Sequence, residues 1–168
     1  MRRIGVVGGG AWGTALANAA AAAGHDVTLW LRDPEAAARL QDTRENARYL
    51  PGVPLHARIA VTAVATDLAE AGTVLMVTPA QTLRGVLAEL APAFARDAAI
   101  VLCAKGIERG TDAFMSEVAA GQLGAAASGS RSHRVTSCPA AAAALARAVP
   151  QAPPPTTPIR LMRWSLAM

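Results

Sequence analysis

The glycines near the start of the chain are spaced to bind a phosphate-containing ligand. Gly8, Gly10 and Gly13 form a Gly-x-Gly-x-x-Gly pattern that follows an apolar run at residues 4–7 and precedes an alanine-rich segment. Gly8 suits a tight turn, Gly10 lets the backbone approach a pyrophosphate, and Gly13 lets a helix pack closely on a strand. Because a strand precedes the pattern and a helix follows it, the sequence predicts a dinucleotide site at the helix N-terminus.

The same opening also shares features with a signal peptide, because Arg2 and Arg3 precede apolar and small residues. Gly5 and the glycine pattern interrupt that apolar stretch, however. Asn18 and His25 bound an alanine run that is shorter than the ~20 residues of a membrane span. We therefore interpret this segment as a strand, a turn and a helix.

Length and composition favour one α/β domain. The 168 residues are 52% hydrophobic and 4% aromatic, which suits a core packed from alanine, valine and leucine. All twelve acidic residues lie at or before Glu117, whereas residues 118–168 carry five arginines and no acid. Cys103 and Cys138 make neither a disulfide framework nor a metal site, so we predict a reduced, cytoplasmic protein.

Apolar strands alternate with helical segments over residues 1–120, which we assign to a cofactor-binding domain. The predicted strands are residues 4–7, 25–31, 59–62, 73–78 and 98–104. The predicted helices are residues 11–23, 33–40, 82–90 and 112–120, with Asp33 and Thr111 as the caps of the second and last. This alternation predicts an α/β fold with a Rossmann-type, doubly wound and mainly parallel sheet.

Residues 121–168 are rich in alanine, proline, arginine and serine and have lost this periodicity. We predict an irregular or disordered tail, in which residues 140–148 could form an isolated helix. Its five scattered arginines lack interleaved aromatic residues and do not favour a nucleic-acid-binding arm. The composition leads to the hypothesis that the tail is a frameshifted or truncated product.

Ligands of open α/β sheets bind beyond the carboxyl ends of the strands, so residues that follow a strand are candidates for binding. Besides the glycine turn, these are Arg32, Thr78 and Lys105. Lys105 is the only lysine of the chain, and a point cation at the end of a buried strand suits a phosphate. Two alternatives stay open: Arg32 also fits a solvated surface charge, and Trp12 also fits simple packing of the first helix.

Several segments, in this order and spacing, resemble the bacterial NAD(P)-dependent glycerol-3-phosphate dehydrogenases. They are GGGAWGTALA, GHDVTLWLRDPE, NARYLPGV, VTPA, CAKGIERGT and FMSEV, and they extend over about residues 4–118. The resemblance implies NAD or NADP as the cofactor. It implies a cofactor site formed by Gly8, Gly10, Ala11, Trp12, Gly13, Arg32 and Lys105. Within that site Arg32 would meet the adenosine ribose, and Lys105 would contact both the nicotinamide side and the substrate phosphate.

The reaction implied by the resemblance is the reversible reduction of dihydroxyacetone phosphate to sn-glycerol 3-phosphate, a phospholipid precursor. The partner would be a small phosphate-bearing substrate, with no nucleic acid and no membrane, and a homodimer stays open for full-length members. Arg32 can attract the 2′-phosphate of NADP, whereas Asp33 keeps NAD open.

The family's Gly-Pro-Ser/Thr-Phe loop and the general-acid lysine of its helical second domain have no counterpart in this sequence. No catalytic residue is therefore assigned, and we expect cofactor binding with little turnover, because a positioned acid contributes about 10²–10⁴-fold. A non-catalytic NAD(P)-binding fragment and another Rossmann reductase of a small substrate remain the alternatives.

Overall fold

The computed structural model describes residues 2–126 and 134–137. Its strands are β1 (Arg3–Val7), β2 (Asp26–Trp30), β3 (Ile59–Thr62), β4 (Thr73–Met76), β5 (Ala99–Leu102) and β6 (Arg134–Ser137). Within these described ranges the strands form one sheet in the order β3-β2-β1-β4-β5-β6, and every adjacent pair is parallel. The order reverses between β1 and β4, which confirms the predicted Rossmann-type, doubly wound sheet.

Helices connect these strands and cover the sheet. They are α1 (Ala11–Ala22), α2 (Pro34–Thr43), α3 (Leu83–Leu90) and α4 (Met115–Ala126). Short 3₁₀ turns occur at Ala65–Leu68, Ala80–Thr82 and Ala91–Ala93. Among the described residues, no helix combines the length and the apolar character that crossing a bilayer would require.

The core has two layers, one on each face of the sheet. Side chains of successive strand residues point to opposite faces, so Val74 and Met76 pack with the buried residues of α3 and α4. Leu75 lies between them in sequence but packs with the buried alanines of α1. Coverage of both faces explains why β4 reads as an uninterrupted apolar run.

The start of α2 follows the predicted capping pattern. The carboxylate of Asp33 accepts hydrogen bonds from the backbone N–H groups of Glu35, at 2.9 Å, and Ala36, at 3.3 Å. Pro34 occupies the first helical position, where its missing N–H has no cost. The predicted N-cap Asp33 is therefore confirmed.

The predicted cap of the last helix is wrong. Thr111 instead donates its hydroxyl hydrogen to the carboxylate of Glu108, and α4 begins four residues later. At that point the carboxylate of Glu117 accepts the N–H of Phe114 at 2.7 Å. The helix then continues to Ala126, so the boundary proposed at residue 120 falls inside it.

A strand occurs within the segment predicted to be an irregular tail. Strand β6 pairs in parallel with β5, in a register that places Arg134 beside Ala99. This strand has only four residues, RVTS, and they are too polar to form the apolar run by which buried strands are recognised in a sequence. The helix considered at residues 140–148 lies outside the described residues.

Candidate cofactor site

The carboxyl ends of the strands open onto a cavity of about 940 Å³. It is lined by the glycine turn after β1, the first turn of α1, one face of α2 and the residues that follow β4 and β5. This is the crevice at which the strand order reverses, where doubly wound sheets bind their ligands. Small-molecule pockets span roughly 300–1,000 Å³, so this cavity has room for a large ligand.

Steric contacts explain two of the three glycines of the turn. Gly8 has a φ of +119°, and a Cβ there would lie 2.6 Å from the carbonyl oxygen of Val77. A Cβ on Gly13 would lie 1.8 Å from the carbonyl oxygen of Gly8. Packing of α1 against the turn therefore requires glycine at both positions, as the sequence predicts for a tight turn and a close helix–strand contact.

Gly10 differs from these two glycines. A Cβ added to it would meet nothing within 4 Å, and the residue lines the cavity. Its φ of −74° is also accessible to any residue, so neither packing nor backbone conformation within the described protein requires glycine here. The open space beside Gly10 fits a bound group that must approach the backbone closely.

The N-terminus of α1 faces this open space. The first N–H groups of a helix have no partner within the helix and carry partial positive charge, which attracts anions. No acidic side chain lies in the first turn to oppose a bound anion. Ala11 and Trp12 both line the cavity, and the Trp12 side chain is 57% exposed. The indole is therefore not a core residue of the described protein, and it is accessible to a ligand in the cavity.

Asn46 is a site residue that was not predicted from the sequence, and it fixes the shape of the glycine turn. Its side-chain amide donates to the carbonyl oxygen of Gly9 at 2.9 Å and to the Thr14 hydroxyl at 2.7 Å. The Thr14 hydroxyl in turn donates to the carbonyl oxygen of Gly10 at 2.9 Å. Asn46 is buried, and its bond to Thr14 is shielded from water, whereas its bond to Gly9 is partly buried. Its place in the NARYLPGV segment was the signal available in the sequence.

One side of the cavity is formed by the end of β2 and by α2. Arg32 and Asp33 follow β2, and a single face of α2 continues the lining with Ala36, Arg39, Leu40 and Thr43. Tyr49 from the following loop also lines the cavity, with the guanidinium of Arg48 5.0 Å from the centre of its ring. The structure thus places Arg32 on the cavity, as expected for a ligand-binding residue.

The other side of the cavity is formed by residues that follow β4 and β5. The predicted strands at 73–78 and 98–104 end earlier, at Met76 and Leu102, and this releases Val77, Thr78 and Cys103 to line the cavity. The Thr78 hydroxyl is shielded from solvent and has no hydrogen-bond partner among the described residues. A hydroxyl beside a cavity in this state can bond to a ligand.

Lys105 is exposed and is not among the residues that line the cavity. It lies two residues beyond Cys103, which does line it, and is followed by Gly106 with a φ of +108°. The side chain of Gln81 holds the next part of this loop, donating to the carbonyl oxygen of Ile107 at 2.9 Å and accepting the N–H of Arg109 at 3.0 Å. Lys105 is thus an exposed residue just beyond the cavity lining in sequence, on a loop that Gln81 attaches to the turn before α3.

A salt bridge gives this loop a second attachment. The guanidinium of Arg84 donates two hydrogen bonds to Glu108, Nε to Oε1 at 2.8 Å and Nη2 to Oε2 at 2.7 Å. These bonds, together with one from the Thr111 hydroxyl, lower the pKa of Glu108 from 4.5 to about 2. They also raise the pKa of Arg84, so both partners are charged at neutral pH.

Comparison with known proteins gives consistent results. A family model described as the N-terminus of NAD-dependent glycerol-3-phosphate dehydrogenase matches residues 3–152. A glycerol-3-phosphate dehydrogenase [NAD(P)+] of Methylobacterium radiotolerans is 67% identical over 116 residues, which are 69% of this chain and 35% of the relative. The enzyme of the same name from Parvibaculum lavamentivorans is 47% identical over 151 residues, covering 90% of this chain and 44% of the relative.

A solved glycerol-3-phosphate dehydrogenase from Coxiella burnetii has the same fold. It superposes with a TM-score of 0.68 at 23% identity, covering 82% of this chain and 54% of that one. The present chain spans from about a third to under half of the length of the two sequence relatives. The family match also continues beyond residue 120.

Proposed function

The chain belongs to the NAD-dependent glycerol-3-phosphate dehydrogenase family, and we propose that its described domain binds NAD or NADP across the cavity at the carboxyl edge of the sheet. The observation that carries this proposal is the contrast among the three glycines of the turn. Gly8 and Gly13 are required by packing, whereas Gly10 borders open space at a helix N-terminus. A pyrophosphate fits that space because it needs both close approach and partial positive charge.

The two sides of the cavity suggest which residues would contact each part of the cofactor. The pyrophosphate would lie on the N–H groups of the α1 first turn, with Trp12 beside it. The adenosine half would extend over β2 towards Arg32, and the nicotinamide half over β4 and β5 towards Thr78 and Cys103. This arrangement uses one mononucleotide-binding half of the sheet for each end of the cofactor.

We propose that the protein takes part in the reversible reduction of dihydroxyacetone phosphate to sn-glycerol 3-phosphate, and so in phospholipid precursor supply. The cofactor, when bound, supplies the hydride. Lys105 would bind the substrate phosphate, because it is an exposed cation two residues beyond Cys103, which lines the nicotinamide side of the cavity. A cytoplasmic location is part of the proposal and is supported by the low cysteine content.

Reduction of a ketone also needs a proton for the developing alkoxide, and a positioned acid contributes about 10²–10⁴-fold. Lys105 is the only lysine in the sequence, so its ammonium group is the only one that a lysine side chain here can offer. If it binds the substrate phosphate, it is not available as the acid. Under this proposal the acid is therefore a group other than Lys105.

Titration calorimetry tests this proposal in two steps. NADH and NADPH are first titrated into the protein, and sn-glycerol 3-phosphate is then titrated into the complex with oxidised cofactor. We expect saturable binding in both steps, with Lys105→Ala abolishing the second and Lys105→Arg restoring most of it. Absence of dinucleotide binding would overturn the proposed cofactor site, and unchanged substrate binding by Lys105→Ala would overturn the role of Lys105.

A further inference from the structure

The charged residues on the adenosine side of the cavity are not equivalent. Five charged side chains line this part of the cavity, namely Arg32, Asp33, Arg39, Glu45 and Arg48. Whether they favour a neutral ribose or a phosphorylated one depends on which of them are already engaged within the protein. NAD presents a 2′-hydroxyl here, which carboxylates bind, and NADP presents a 2′-phosphate, which arginines bind.

Both carboxylates are engaged by backbone N–H groups. Asp33 accepts from Glu35 at 2.9 Å and from Ala36 at 3.3 Å, and in doing so caps α2. Glu45 accepts the N–H of Gly52 at 2.8 Å. Binding a ribose hydroxyl through Asp33 would compete with the helix cap, which is worth about 1 kcal/mol.

Two of the three arginines make no such hydrogen bonds with the described residues. The side chains of Arg32 and Arg39 are exposed, and neither makes a hydrogen bond or a salt bridge with any residue of the described ranges. Arg39 lies one turn along α2 from Ala36, on the helix face that lines the cavity. Arg48 differs because its guanidinium lies over the ring of Tyr49.

We propose that Arg39, together with Arg32, binds the 2′-phosphate of NADP and gives this protein a preference for NADP over NAD. The inference rests on the proposed function, because it assigns the selectivity of the same cofactor site. Two unpaired guanidinium groups, Arg32 after β2 and Arg39 on α2, line the same side of the cavity and can provide charge-assisted hydrogen bonds to a phosphate dianion, whereas a ribose hydroxyl gains nothing comparable from them.

The test compares the dissociation constants of NADP⁺ and NAD⁺ for the 168-residue protein and three variants. Arg39→Gln removes the proposed contact, and Arg96→Gln is the matched control, since Arg96 is an exposed arginine that does not line the cavity. Asp33→Asn removes the carboxylate charge but keeps a good helix cap. Thermal unfolding of each variant verifies that the fold is retained.

We expect the parent protein to bind NADP⁺ at least about tenfold more tightly than NAD⁺ at low salt, and Arg39→Gln to lose about tenfold in NADP⁺ affinity. Its NAD⁺ affinity should stay within about twofold, and Arg96→Gln should change neither constant. Asp33→Asn should retain NAD⁺ binding, because the carboxylate is used by the helix.

Four outcomes would overturn the inference. Binding of both cofactors with equal affinity, or an unchanged ratio in Arg39→Gln, would exclude this role of Arg39 while leaving the proposed function intact. A selective loss of NAD⁺ affinity in Asp33→Asn would show that the carboxylate binds the ribose hydroxyl. Binding of neither cofactor by the parent protein would overturn the proposed function and the inference with it.

Discussion

The side-chain amide of Asn46 lies 2.9 Å from the carbonyl oxygen of Gly9, to which it donates a hydrogen bond across 37 residues of sequence. The same amide donates to the Thr14 hydroxyl at 2.7 Å. A buried residue from the loop after α2 thus joins the glycine turn to the first helix. The shape of the phosphate-binding turn therefore depends on a segment outside the strand–turn–helix unit that contains it.

Replacing Asn46 with alanine should weaken both the fold and cofactor binding. Loss of the amide removes one buried and one partly buried hydrogen bond and leaves the Gly9 carbonyl without this donor, which corresponds to about 1–3 kcal/mol in the free energy of unfolding. Because the turn is then less well fixed, we expect the dissociation constant of NADP⁺ to rise by about tenfold. Urea denaturation and titration calorimetry measure the two effects.

Asn18 provides the control for this prediction. Its carboxamide holds the same loop further along, where Oδ1 accepts the N–H of His56 at 2.8 Å, but it does not touch the glycine turn. Asn18→Ala should lower stability modestly and leave the NADP⁺ dissociation constant within about twofold. Equal losses of affinity in the two variants would contradict a specific role of Asn46 in positioning the turn.

Replacing Gly13 with alanine should destabilise the protein, although alanine is the better helix former. The new Cβ would overlap the carbonyl oxygen of Gly8 at 1.8 Å, so α1 must move away from the turn. We expect a loss of at least about 1–3 kcal/mol, measured by denaturant unfolding. Gly85→Ala in α3 is the matched control, because its Cβ has free space, and it should stabilise by about 0.5–1 kcal/mol. A stable Gly13→Ala protein would contradict the close packing described here.

The salt bridge between Arg84 and Glu108 should make stability depend on pH in the acid range. The pKa of Glu108 falls from 4.5 to about 2 on folding, so the unfolded chain binds this proton more readily. The stabilisation is therefore complete above about pH 4.5 and is lost as the pH falls from 4.5 towards 2. Glu108→Gln should show a lower unfolding temperature at pH 7 and a shallower decline across that window.

Glu89→Gln is the control for the acid effect, because Glu89 is exposed on α3 and makes no salt bridge among the described residues. Its unfolding temperature should follow that of the parent protein at each pH. If the curve of Glu108→Gln also ran parallel to the parent curve, the lowered pKa would not be a source of stability.

The parts of the fold that were predictable depend on neighbouring residues in the sequence. The glycine turn, the Asp33 cap and the apolar strands are each specified within a few residues, and the structure has them all. The predicted ends of β4 and β5 lie two residues beyond the observed ends at Met76 and Leu102, because mainly apolar residues continue from each strand into the cavity lining. Hydrophobicity alone does not separate a buried strand residue from one that faces a ligand site.

The parts that were missed depend on distant residues. Nothing in the local sequence joins Asn46 to Gly9 across 37 residues, or Arg84 to Glu108 across 24, since only the tertiary fold brings these pairs together. The predicted cap at Thr111 failed for the same reason, because its hydroxyl is bound to Glu108 within that salt-bridge cluster. Tertiary contacts here overrule a local capping signal that is otherwise plausible.

The most direct test of the account is the effect of Gly10→Val on dinucleotide binding. A Cβ at Gly10 has no protein atom within 4 Å and the backbone conformation there suits any residue, so the variant should fold, with stability lowered only by about 1 kcal/mol for a poorer N-cap of α1. The valine would occupy the space assigned to the pyrophosphate, and we predict that titration calorimetry will show NADP⁺ affinity reduced by at least about 100-fold. A folded Gly10→Val protein that binds NADP⁺ as tightly as the parent would show that the cofactor does not lie on this turn.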